Sequence, residues 1–334
     1  MSSEDIKSIK KSPIIKNDVF LDKSLRPETW VEYIGQETIK NNVKILLQAA
    51  KNRNHRPEHL LFYGPPGLGK TTLAHLIAKE LNSQIKATSG PAIEKVSDLA
   101  SILTNLETGD ILFIDEIHRL NKMIEEVLYP AMEQGSLNII IGKGPGARVI
   151  QLDLPPFTLI AATTRIALLS SPLRSRFSGG THRLQFYSES EISSIIKRSA
   201  GLLGNEIDDG AIEEIAKRSR FTPRFANQLL KRARDYAEVH ELPLTRQVVI
   251  DALLMFGIDK LGLTEADRSV LINLAEKFAG GPVGLNTLAT SLMEEEATLE
   301  EVYEPYLIQC GLIERTKQGR KLTKKGYHHL KQSK

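Results

Sequence analysis

Apolar residues follow two rhythms along this chain, and the change between them divides it. From about residue 26 to 187, short unbroken apolar runs alternate with helical patterns. Leu60-Leu61-Phe62-Tyr63, Ile111-Leu112-Phe113-Ile114 and Thr158-Leu159-Ile160-Ala161-Ala162 read as buried strands, while Leu73, Leu76 and Ile77 fall at helical spacing. That alternation predicts a parallel α/β core. Within it, residues 137–153 place two β-branched runs around Gly142-Lys143-Gly144-Pro145-Gly146, which reads as a hairpin inserted into the core. Its Ile139-Ile140-Ile141 run is expected to form an exposed partner-binding patch.

From Ser188 to about Gly257 the pattern becomes wholly helical. Ile192, Ile195 and Ile196 share one face, and Ile212, Ile215 and Ala216 another. Thr222-Pro223 opens a third helix, and Thr245 caps a fourth that carries Val248, Val249, Ala252 and Leu253. Four short helices predict a small lid domain over 188–258. The remainder, 259–334, begins with a helix capped by Thr264 with Asp267 three residues on, broken at Gly280-Gly281-Pro282. Helices near 286–295 and 299–309 follow, and then Leu312–Arg315 faces Arg320–Leu322 across a turn. Three helices and a hairpin describe a winged-helix domain. The expected division is thus a tail at 1–25, a core at 26–187, a lid at 188–258 and a head at 259–334.

Charge sharpens this picture at one end only. Of 44 Lys and Arg and 41 Asp and Glu, eight basic residues and one acid fall in 311–334, leaving 36 basic against 40 acidic elsewhere. The head helices, 259–310, hold ten acids and three bases. One basic edge therefore suits a phosphate backbone, with acidic helices turned away from it. No apolar stretch approaches the roughly 20 residues that span a bilayer. The first 25 residues are polar and Lys-rich without an apolar h-region, so a mobile tail is expected rather than a signal peptide. A lone Cys310 leaves no internal disulfide and fits a reducing cytoplasm.

The chemistry centres on Gly64-Pro65-Pro66-Gly67-Leu68-Gly69-Lys70-Thr71, which satisfies G-x-x-x-x-G-K-[ST] between a strand and a helix. Backbone N–H groups of such a loop cradle phosphates at a helix N-terminus; Lys70 would reach the β- and γ-phosphates and Thr71 the Mg²⁺. The strand 111–114 ends in Asp115-Glu116. Asp115 would hold the metal with Thr71, and Glu116 would orient and deprotonate the attacking water. His118 and Arg119 read as solvent-facing or structural. Thr163-Thr164-Arg165 ends the strand 158–162, where a hydroxyl can reach the γ-phosphate or water. Arg174 and Arg176 bracket a loop; an arginine there can serve a neighbouring subunit's γ-phosphate.

GPPGLGKTTLA, FIDEIHRL, ATTR, SPLRSRF and TPRFAN, in this order, resemble the AAA+ ATPases. RPETWVEYIGQ, EEVLYPAME, LPPFTLIAATTR, GGPVGL and EPYLIQCGLI are similar to one family among them, RuvB, the motors of Holliday-junction branch migration in recombination and repair. The likeness runs from about 26 to 322. It implies an AAA+ P-loop core, a helical lid and a winged-helix head, assembled as a homo-hexameric ring on double-stranded DNA in the cytoplasm. It implies RuvA and RuvC as partners, and ATP with Mg²⁺ at the site. By resemblance, Thr164 is sensor 1, Arg176 the trans-acting finger and Arg224 sensor 2. Leu25, Arg26, Tyr33, Ile34 and Tyr187 hold the adenine; Gly67, Leu68, Gly69 and Thr72 complete the nucleotide loop. The hairpin at 137–153 grips RuvA, and Arg315 and Arg320 on the wing contact DNA. Two departures stand out: Ser178–His182 is one residue longer than is usual in the family, and Gln318 occupies a wing position that is commonly basic.

Three other readings share parts of this pattern. A clamp-loader-like switch would hydrolyse ATP without processive movement, and the basic head speaks against it. A protein-unfolding ring would carry an aromatic pore loop, but no Phe, Tyr or Trp lies between Thr71 and Asp110. A regulator using ATP only as a signal would not need Glu116 and Arg176.

Overall fold

Five parallel strands carry the N-terminal half of the computed structural model, which describes residues 24–141 and 148–332. The chain divides into two compact units. One runs to Ile195 and takes in Thr222–Arg224; the other comprises Ile196–Phe221 and Phe225–Lys334. All but the last two residues of the expected tail lie outside the described residues.

In the first unit, α1 (Glu37–Asn52) buries Ile39, Val43, Leu47 and Ala50 along one stripe. Then come β1 (Leu60–Tyr63), α2 (Lys70–Glu80), β2 (Ile85–Ser89), α3 (Val96–Thr104), β3 (Ile111–Asp115) and α4 (Lys122–Glu133). The hairpin β4 (Ser136–Ile141) and β5 (Arg148–Asp153) precedes β6 (Thr158–Thr163), α5 (Ser171–Ser175) and β7 (Thr181–Arg183). The sheet order is β2-β3-β6-β1-β7, all pairs parallel. Its three central strands are covered on both faces, which explains their unbroken apolar runs. The sequence reading misses both edge strands: β2 is half-exposed and polar, and β7 is three residues long.

One cluster joins Leu112, Ile114, Leu159 and Ala161 of the sheet to Leu99 and Leu103 of α3 and Ile124 and Leu128 of α4. A single imidazole fastens its lower edge. The Leu159 N–H donates to His59 Nδ1 at 2.8 Å, which leaves Nε2–H to donate to the Met132 carbonyl at 3.1 Å. This side chain ties β1, β6 and α4 together and stays neutral, because burial pushes its pKa down to about 4.

The second unit receives the end of α6 (Glu189–Leu202), then α7 (Asp209–Arg218), α8 from Phe225 onward (the helix spans Pro223–Val239) and α9 (Arg246–Met255). Asp208 and Thr245 cap α7 and α9. The head follows as α10 (Glu265–Glu276), α11 (Leu285–Leu292), α12 (Glu304–Gln309), the hairpin β8 (Ile313–Thr316) and β9 (Gly319–Leu322), and α13 (Lys324–Gln332). The Thr264–Asp267 capping box forms. Leu271, Leu274, Leu288, Leu307, Leu312 and Leu322 share the head's core. Residues 324–332, to which the sequence pattern assigns no element, are a helix whose Gly326 sits against the Leu312 carbonyl and Leu322.

His59 makes a pH prediction. Its folded pKa lies below that of the unfolded chain, so the unfolded state takes up the proton first as pH falls. Stability is full above about pH 6.5 and is lost toward the folded value near 4. Urea unfolding of the core should show a loss of about 2 kcal/mol between pH 7 and pH 5. The His59→Gln variant should start less stable and show a shallower dependence on pH; an unchanged slope would contradict the assignment.

Candidate nucleotide site

Because the strands run parallel, their carboxyl ends lie along one edge. Tyr63 stands opposite Thr163, and Ile114 opposite Ala161, so the loop after β1 meets the ends of β3 and β6. That loop needs its glycines. Gly69 caps α2 at φ 98°, and a Cβ there would come 2.9 Å from Tyr33 Oη. At Gly67, φ 81°, a Cβ would meet the Arg224 Cβ at 3.1 Å. The Arg224 N–H also donates to the Gly67 carbonyl at 3.4 Å.

Lys70 is buried and donates from Nζ to the Gly64 and Pro65 carbonyls at 2.8 and 2.9 Å. Burial lowers its pKa, with Arg224 adding to the effect, while Glu116 and Asp115 oppose it. The Thr71 hydroxyl donates to Asp115 Oδ2 at 3.2 Å. These are two hard oxygen donors, and the described residues contain no cluster of three or more His, Cys, Asp or Glu. The set suits Mg²⁺, which commonly takes one or two protein oxygens and completes its shell with phosphate and water.

Glu116 adopts a left-handed backbone, φ 47°, immediately after β3. Its Oε2 accepts from both the Thr164 N–H and the Thr164 hydroxyl at 3.0 Å. His118 Nδ1 lies 3.2 Å from the same oxygen and 2.9 Å from Thr163 Oγ1. The solvent-facing option for His118 is therefore corrected: the 3-10 turn after Glu116 folds its ring back against β6, where it is 9% exposed. Sequence spacing gave no sign of this, since the turn and not a helical period sets the ring's direction.

Beside the loop, the Tyr187 hydroxyl donates to the Leu68 carbonyl at 3.2 Å, and the Tyr33 hydroxyl to the same oxygen at 3.5 Å. Burial raises both phenols, that of Tyr187 to about 12. Leu25 is buried with them in the core unit, Ile34 is half-buried and Arg26 is exposed; Thr72 is half-buried on α2. Arg176 caps the C-terminus of α5. It donates to the Pro172 carbonyl at 2.6 Å, pairs with Glu133 at 3.2 Å and lies 4.3 Å over the Tyr129 ring.

The chain matches the description "Holliday junction DNA helicase RuvB P-loop domain" over residues 25–184. It matches "RuvB AAA lid domain" over 187–259 and "RuvB C-terminal winged helix domain" over 260–331. This chain belongs to the RuvB family. The Holliday junction branch migration complex subunit RuvB of Fusobacterium nucleatum is 56% identical over 317 residues, spanning 94% of this chain and 95% of that protein. The Dehalococcoides mccartyi subunit is 54% identical, spanning 95% and 91%. Among solved structures, the RuvB branch migration motor of Thermotoga maritima is 51% identical with a TM-score of 0.84, spanning 92% of this chain and 98% of that one.

On the RuvB-family head, the two wing arginines part company. Arg315 has a side chain 55% exposed and pairs with Glu300 at 2.9 Å. Arg320 is 6% exposed and salt-bridged to Glu304, itself 2% exposed; its Nη2 donates to Glu304 Oε2 at 3.2 Å. Arg320, expected to contact DNA, is held by this ion pair. Strand alternation puts it on the same face as buried Leu322, whereas Lys321 points outward. In the hairpin, β4 and β5 pair with Ile139 opposite Ile150. The side chains of Ile139, Ile140 and Ile141 lie outside the described residues, while Ile150 and Leu152 are exposed.

The loop geometry predicts that Gly69→Ala lowers stability by about 1–2 kcal/mol, the cost of a left-handed non-glycine residue. It should also weaken binding of a fluorescent ATP analogue about tenfold or more, or 1.4 kcal/mol. Adding Tyr33→Phe removes the clashing oxygen but not the backbone cost, so it should recover only part of the binding. Full recovery would show that φ is not limiting.

Proposed function

We propose that this chain is the ATP-driven motor subunit that moves double-stranded DNA to migrate Holliday junctions, acting with RuvA and, at resolution, RuvC. The observation that carries the reading is the meeting of Lys70, Thr71, Asp115, Glu116, Thr164 and Arg224 at one sheet edge in a RuvB-family chain that also has a winged-helix head. In this reading ATP is the substrate. Mg²⁺, held by Thr71 and Asp115, would offset the developing phosphate charge when bound.

The chain's own groups then divide the work. Lys70 and the loop N–H groups orient the phosphates. Glu116 accepts the proton of the attacking water, and Thr164 fixes the direction of its carboxylate by two hydrogen bonds. Tyr33, Ile34, Leu25 and Tyr187 form the adenine side; the exposed Arg26 serves at its rim. In this reading Arg176, held within its own chain by Tyr129, Glu133 and Pro172, completes the site of a neighbouring subunit in a homo-hexameric ring. The cytoplasm is the proposed compartment.

Exposed Arg315, Lys317, Lys321, Lys324 and Lys325 supply phosphate contacts alongside Arg320 of the wing. Such contacts position without reading bases, as a motor that passes every sequence requires. The exposed Ile150 and Leu152 of β5 support the hairpin as the RuvA grip.

The test is ATP-dependent splitting of a synthetic four-way junction by this protein with RuvA. Splitting is expected, and log affinity for duplex DNA should fall linearly with log salt. ATP hydrolysis without splitting would point instead to a loader-like switch. Arg176→Ala should lose about 10³-fold or more of kcat alone. Mixed with Lys70→Ala subunits, it should regain activity, because each supplies what the other lacks; no regain would contradict the trans assignment.

A further inference from the structure

The turn between α7 and α8 concentrates features that the ATPase chemistry does not use. Arg220 and Phe221 both have left-handed backbones, φ 54° and 55°, on consecutive non-glycine residues. Such conformations cost about 1–2 kcal/mol each and persist where surrounding contacts enforce them. The enforcing contacts belong to the head. The Arg220 guanidinium is salt-bridged to Asp267, which has no exposed surface, and its Nε donates to the Gly262 carbonyl at 3.0 Å. It also stacks 4.5 Å from the Phe225 ring and 5.2 Å from the Tyr306 ring. Phe221 packs on the head core, 6.4 Å from Tyr306 between centroids.

The position of this clamp in the chain is what gives it meaning. Residues up to Phe221 and from Phe225 belong to the second unit, while Thr222–Arg224 between them belong to the core unit and approach the nucleotide loop at Gly67. Arg220 stacked on Phe225 therefore closes a staple across the base of that tripeptide. The same guanidinium holds Asp267, whose Oδ2 also accepts from the Thr264 N–H at 2.8 Å at the first turn of the head. The turn that leads into Thr222–Arg224 and the first head helix thus share one buried ion pair, Arg220 with Asp267. A buried pair is a poor device for net stability, but breaking it leaves an uncompensated charge, so it holds a fixed geometry strongly.

We infer that Arg220 and Asp267 are positioning residues that transmit the state of the Arg224 segment to the DNA-binding head, converting ATP turnover into movement of DNA. This rests on the motor reading above. Neither residue touches nucleotide or DNA in that reading. Their loss should therefore spare hydrolysis and spoil its coupling, rather than reduce both together.

The experiment measures ATP consumed per junction split, alongside kcat and KM for ATP, for the full chain with RuvA. Arg220→Ala and Asp267→Asn should keep kcat and KM within about twofold of wild type, while ATP consumed per junction rises about fivefold or more. Asp267→Asn retains an acceptor for the Thr264 N–H, so it carries the test if Arg220→Ala does not fold. A ratio equal to wild type in the folded variants overturns the inference; so does a fall in kcat that matches the loss of splitting, which marks a merely structural role. Failure of the wild type itself to split junctions would instead overturn the motor reading.

Discussion

The parallel direction of five strands is the constraint on which the site depends. Each strand delivers its carboxyl end to one edge, so residues 45 positions apart in sequence, Lys70 and Asp115, reach a common space. A single reversed strand would remove the Asp115–Glu116 pair or Thr163–Thr164 from it. The cost of this arrangement is backbone strain at the edge itself. Gly67, Gly69 and Glu116 all take positive φ there, and Glu116 does so without glycine's freedom. Two hydrogen bonds from Thr164 and the proximity of His118 hold that conformation, so the carboxylate's direction is set by β6 and by its own 3-10 turn.

What was legible in the sequence was what local pattern determines. The glycine loop, the apolar strand ending in two carboxylates, the Thr245 and Thr264 caps and the four lid helices each declare themselves within a dozen residues. The edge strands β2 and β7 did not, because an edge needs no apolar run; pairing on one side alone makes them strands. The helix over 324–332 was hidden by its basic composition, since it docks through a glycine and leaves its lysines in water.

Arg320 and His118 show two different kinds of illegibility. For Arg320 the signal existed. A strand containing buried Leu322 places residue 320 on the same inward face, and Glu304 on a preceding helix was an available partner. For His118 there was no usable signal, because the direction of a residue in a 3-10 turn follows from the left-handed Glu116 before it. The clamp at Arg220 is of this second kind as well: its partners Asp267 and Tyr306 lie 47 and 86 positions away.

The proposed role of Glu116, to deprotonate the attacking water, is tested most directly by one comparison. ATP affinity and single-turnover hydrolysis are measured side by side for the wild type and Glu116→Gln, which keeps the Thr164 hydrogen bonds possible but cannot take a proton. The predicted result is a Kd within about threefold and a hydrolysis rate lower by about 10² or more, the usual worth of a positioned general base. Hydrolysis within tenfold of the wild type would show that the water is activated by another group.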